Sequence, residues 1–89
     1  MARMELSVVE HEEIAAQTGA HDALFELGLM YSTGRDVDAD LVTAHKWFNL
    51  AALRGNSAAL GYRKELAQEM SEYDVAEAQR QAREWINKH

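Results

Sequence analysis

Residues Ala23 to Ala59 read Ala-Leu-Phe-Glu-Leu-Gly-Leu-Met-Tyr-Ser-Thr-Gly-Arg-Asp-Val-Asp-Ala-Asp, then Leu-Val-Thr-Ala-His-Lys-Trp-Phe-Asn-Leu-Ala-Ala-Leu-Arg-Gly-Asn-Ser-Ala-Ala. Two apolar runs with helical spacing flank a short Gly34-Arg35-Asp36 turn, and this pattern predicts a helical hairpin. Leu27, Gly28 and Tyr31 share one face of the first helix. Ala44, Trp47, Phe48, Ala51 and Ala52 share one face of the second. Small residues opposite large ones let two helices approach closely, so Trp47 is expected to wedge between them, buried.

These residues resemble the Sel1-like repeat, a relative of the tetratricopeptide repeat. The family pattern is Leu-Gly-x-x-Tyr-x-x-Gly, a Val and an Asp in the turn, then Ala-x-x-Trp-x-x-x-Ala-Ala-x-x-Gly-x-x-x-Ala. Here it is filled by Leu27, Gly28, Tyr31, Gly34, Val37, Asp40, Ala44, Trp47, Ala51, Ala52, Gly55 and Ala59. Asp36 departs from it, standing where the family has a second turn glycine. Aspartate tolerates a left-handed backbone better than most residues, so the turn is expected to survive.

Outward from this unit a weaker echo is legible. Ala15, Ala16, Gly19, Ala23 and Leu24 recur as Ala51, Ala52, Gly55, Ala59 and Leu60, a shift of 36 residues. A fixed period of this size marks stacked helical hairpins, each burying its face on a neighbour. The N-terminal helix then reads as the second half of a repeat whose first half is missing. After Ala59 the pattern decays, because Arg63 and Lys64 stand where Leu27 and Gly28 would recur. The expectation is an all-α, short α/α superhelical, tetratricopeptide-like fragment of about five helices. It forms a single domain over 1–89, with a half-repeat helix at 8–19, a full repeat at 20–55 and a C-terminal capping hairpin at 56–89.

Local signals place the boundaries. Met1 to Leu6 could be a frayed start or an extra helical turn. Ser7 and Glu10 form a capping-box pattern, and Gly19 stops that helix. The next runs from about Ala20 to Ser32 and ends at Gly34. Asp38 or Asp40 caps the third, which continues to Arg54. Asn56 or Ser57 starts the fourth, with Ala59, Leu60, Leu66, Ala67 and Met70 inward. Ser71 and Asp74 form a second capping box, and Val75, Ala78, Ala82, Trp85 and Ile86 make the apolar seam of the fifth.

Composition narrows the function classes. Eighty-nine residues make one domain, able to bury a core without disulfide or metal. Proline and cysteine are absent, which favours helix, removes any thiol nucleophile and fits a cytoplasmic protein. No signal-peptide core and no run of membrane-spanning length is seen. The net charge is −6, and the first 30 residues hold −5 of it through Glu5, Glu10, Glu12, Glu13, Asp22 and Glu26 against Arg3. Such a surface repels phosphate backbones, so nucleic acid is not expected as a partner, and without a spanning run neither is a membrane.

Catalytic and metal signatures fail on spacing. His11-Glu12-Glu13 opens like the zinc-protease motif, but its second histidine would be residue 15, which is Ala. His11, His21 and His45 read as boundary or solvated side chains. Glu10, Glu12, Glu13 and Asp22 read as a solvated helix face, with an acidic docking patch as the alternative. Gly34-Arg35-Asp36 lies at a helix C-terminus, the wrong end for a phosphate. No metal, no cofactor and no enzymatic activity are expected.

What remains is a surface. In tetratricopeptide-like superhelices the first helix of each hairpin lines the concave side, which the resemblance transfers to Phe25, Leu29 and Ser32. Arg63 and Lys64 are expected to add positive charge beside them, suited to an acidic partner segment. The competing reading has Phe25 packed on the N-terminal helix. The resemblance implies a small non-catalytic adaptor or scaffold that binds another protein. Some family members are linked to β-lactam hydrolysis, but those are cysteine-rich and secreted, and this chain has no cysteine. The alternative is a structural homo-oligomer, such as a homodimer, formed through the truncated N-terminal half-repeat, where Val8 and Ile14 do not look like a polar cap.

Overall fold

The computed structural model describes residues 7–89, so Met1 to Leu6 and the readings attached to them lie outside it. Five helices follow one another: α1 (Val8–Ala16), α2 (His21–Thr33), α3 (Leu41–Leu53), α4 (Ser57–Glu69) and α5 (Glu72–Lys88). No strand occurs among the described residues, and the fold is an all-α repeat fragment.

The starts and stops have local chemical causes. Ser7 accepts from the Glu10 backbone at 3.2 Å while the Glu10 carboxylate accepts from the Ser7 N–H at 3.4 Å, a complete capping box. At Ser71 only half of the expected box forms. Its hydroxyl accepts from the Asp74 N–H at 3.0 Å, and the shorter Asp74 side chain makes no return bond. Asp40, rather than Asp38, caps α3 by accepting from the Thr43 N–H, and Asn56 caps α4 by accepting from the Ala59 N–H. Gly34 ends α2 in the left-handed region at φ 77°, and Asp36 follows at φ 63°. The aspartate does stand in for glycine. The Asp40 N–H then donates to the Tyr31 carbonyl, and Arg35 pairs with Glu26, so the turn is tied back onto α2.

The core sits in the α2–α3 hairpin. Leu24, Leu27, Met30, Ala44, Phe48, Leu50 and Ala51 are fully buried. A methyl group at Gly28 would lie 2.4 Å from the Phe48 ring, so the glycine exists to let that ring in. Phe48, not Trp47, therefore fills the gap between the paired helices. Trp47 is buried as expected, 6% exposed, but its aromatic neighbour is Trp85 of α5, edge-on at 6.0 Å between ring centroids.

Around the hairpin the packing thins. Helix α1 packs on α2 and buries only Ala16. Helices α4 and α5 lie mainly against α3 and meet each other far less. Two residues assigned inward from the apolar pattern, Leu60 and Ile86, are 39% and 41% exposed. Helix α4 buries Ala59 and packs Leu66 against the core, which puts Leu60 about 100° round from Ala59. On α5 the inward line is Ala78, Ala82 and Trp85, and Ile86 falls just outside it.

Candidate functional site

The residues expected to form one contact surface are divided by the structure. Phe25 is half-buried against the core. Its ring meets Phe48 at 5.7 Å and Tyr62 of α4 at 5.4 Å, the latter edge-on. Tyr62 stacks on Phe48 at 5.3 Å with 24° between the planes, and it stays 43% exposed. Three rings from α2, α3 and α4 thus form one cluster, with Phe48 at its base and Tyr62 at its rim. Leu29 is half-buried against the core, and the Ser32 hydroxyl donates to the Leu29 carbonyl at 3.0 Å.

Arg63 belongs elsewhere. Its guanidinium donates to the Asn49 side-chain oxygen on α3. It lines a notch with Leu53 and Leu60, on the flank of α4 away from Tyr62. Positions 60 and 62 differ by about 200° around a helix, which sets these two flanks apart. Lys64 is exposed.

His45 corrects the reading of a solvated histidine. It is 2% exposed, and its Nδ1 has no hydrogen-bond partner. Burial pushes its pKa below the ordinary histidine value, and the Arg63 charge pushes the same way. The signal was present: His45, Phe48 and Ala52 share a helical face with core residues. His11 and His21 are exposed, the latter against Asp22 at 3.0 Å.

On the far side of α3, a groove of about 440 Å³ is lined by Lys46, Arg80, Glu84, Trp85, Lys88 and His89. His89 stacks on Trp85 at 4.4 Å, and the Lys46 ammonium sits 4.2 Å from the Trp47 ring centroid. Arg80 bridges Glu77 and Glu84, and Lys88 also reaches Glu84 at 3.3 Å. Hydrogen bonds from Arg80 and Gln81 hold the Glu77 carboxyl down to about 2. Lys46 has its pKa lowered by burial, against the opposing pull of Glu13, Asp40 and Glu84. The polar lining is largely satisfied from within. Among the described residues no group of three His, Cys, Asp or Glu side chains converges as a metal site would.

The hairpin that carries this geometry, with the glycine under Phe48 and the left-handed Asp36, is also where a family model matches. Residues 21–56 match the Sel1 repeat. The chain carries a Sel1 repeat. The matched span begins at the first residue of α2 and ends at the cap of α4, so it takes in the hairpin and the turn that follows. No curated protein matches the chain. Sel1 repeats generally mediate protein–protein interaction. No helix of the described residues is long and apolar enough to cross a membrane.

Proposed function

We propose that this chain is a small, non-catalytic, cytoplasmic adaptor that binds another protein through the surface around Phe25, Leu29 and Ser32. Tyr62 of α4 joins that surface. The observation that carries the reading is the ring cluster of Phe25, Phe48 and Tyr62. A tyrosine held rigidly by two aromatic neighbours and left 43% exposed is an amphipathic anchor with little rotamer entropy left to lose. Residues 56–89 act in this reading as the cap of the repeat.

The test is capture of a partner from native cell extract by the wild type and by Tyr62→Ser combined with Leu29→Ser. Loss of a few kcal/mol of affinity with helicity nearly unchanged supports the surface. Undiminished capture overturns it.

A second reading rests on a separate observation. Val8 and Ile14 of α1 are 52% and 51% exposed, although the matching positions of α3, Ala44 and Leu50, are buried. A homodimer formed through α1 would cover them. Val8→Glu or Ile14→Glu then converts dimer to monomer, read by sedimentation at several concentrations. A monomeric wild type ends that reading.

A further inference from the structure

A notch lies at the end of α3, against the start of α4. It measures about 380 Å³ and is lined by Ala52, Leu53, Gly55, Asn56, Leu60 and Arg63. Leu53 is 64% exposed and Leu60 39%, so two leucines stand side by side in water. No carboxylate belongs to the lining.

Arg63 is the anomaly. The chain holds 15 acidic residues against 9 basic ones, so carboxylates are plentiful. Arg35 and Arg80 each have a carboxylate partner, and Arg54 and Arg83, which have none among the described residues, are exposed to water. Arg63 is less exposed than any of these and pairs with no carboxylate among the described residues. Its one side-chain partner is the neutral amide of Asn49, which fixes the guanidinium while leaving most of its donors unused. A guanidinium held in place with free donors presents a planar fork suited to a carboxylate.

We infer that this notch receives a segment of a partner protein in which a side-chain carboxylate neighbours a branched aliphatic residue. The carboxylate pairs with Arg63, and the aliphatic side chain covers Leu53 and Leu60. The site lies on the other flank of α4 from the aromatic cluster. It rests on the reading of the chain as a protein-binding module, and it can fail or stand independently of the Tyr62 surface.

The groove at Lys46 does not compete for such a ligand. There Glu84 is already set between Arg80 and Lys88, and Glu13 and Asp40 act on Lys46 as well. An incoming carboxylate would meet resident ones.

The experiment is a methyl and amide NMR titration of the full chain with two blocked peptides. One is acetyl-Glu-Glu-Leu-Leu-amide, the other acetyl-Gln-Gln-Leu-Leu-amide. The inference expects saturable shifts at the Leu53 and Leu60 methyls with the acidic peptide, about tenfold tighter than with the amide peptide. Arg63→Gln erases that preference, and Leu53→Ser weakens both peptides while the fold, read from the remaining methyls, stays intact. Equal binding of the two peptides overturns the proposal, as does no binding of either. Shifts confined to Phe25 and Tyr62 would overturn it in favour of the aromatic surface. Concentration-dependent shifts at Leu53 and Leu60 without peptide would give the notch to a second copy of this chain instead.

Discussion

Helices α2, α3 and α4 have the same length, thirteen residues, yet they hold to the molecule differently. Five residues of α2 and six of α3 are buried, against Ala59 alone in α4. The contrast is sharpest at two glycines inside helices. Gly28 is pressed by the Phe48 ring, whereas a methyl group at Gly61 would meet nothing within 4 Å. The same residue type is a packing device in one helix and a simple loss of helix propensity in the other. The paired helices are joined by shape, and α4 is laid on that pair by one buried alanine, a capping amide and the edges of larger side chains.

The contrast can be broken first at Trp47, where the largest effect is expected. Trp47→Ala removes a buried ring and its contact with Trp85, at a cost of about 3–5 kcal/mol. That is enough to unfold a domain whose whole stability is on the order of 5–10 kcal/mol, and thermal melting followed by circular dichroism reads it. A variant that melts within a few degrees of wild type would place the core elsewhere.

Gly28→Ala comes next, with about 1–3 kcal/mol of overpacking, because the new methyl group must displace the Phe48 ring. Adding Phe48→Leu should recover part of that loss. Chemical denaturation of the single and double variants measures the coupling, and strict additivity would mean the two residues do not press on one another.

The response to acid tests the α3–α4 contact. His45 has a depressed pKa in the folded chain, so between that value and the unfolded value near 6.5 the unfolded chain binds the extra proton. This contribution is complete above about pH 6.5 and is lost as pH falls toward the folded value, with a slope of at most about 1.4 kcal/mol per pH unit. His45→Gln should flatten the fall between neutral pH and pH 5.5. An unchanged slope would show that the group titrates freely.

The smallest effect has the opposite sign. Gly61→Ala should stabilise by about 0.5–1 kcal/mol, since space is open and the helix gains a better former. A loss of stability there would show that Gly61 touches something, and the contrast with Gly28 would collapse.

What the sequence made legible follows the same division. The fixed spacing from Leu27 to Ala59 reports positions where two backbones must approach, and the hairpin, its turn and the left-handed Asp36 were all readable from it. Outside that span the pattern reports only which residues are apolar. Leu60 and Ile86 were therefore placed inward although the helices bury smaller neighbours. Tyr62 went unread because it lies where the repeat pattern has decayed, and only the packing of α4 on α3 brings its ring onto Phe48. Arg63 was assigned to the wrong flank for a related reason. Sequence proximity to Lys64 grouped the two charges, while the direction of each side chain around α4 separates them.

One consequence concerns how the molecule opens. Helix α3 is enclosed by α2, α4 and α5, while α1 rests mainly on α2. In a stack where each helix contacts its neighbours, the free energy of local opening rises toward the element with most neighbours. Amide hydrogens of α1 should therefore exchange through a small opening that leaves the rest folded. Those of α3 around Phe48 should exchange only when the whole chain unfolds. The Sel1 hairpin then sets the lifetime of the folded state, and the helices laid against it can move without ending that lifetime.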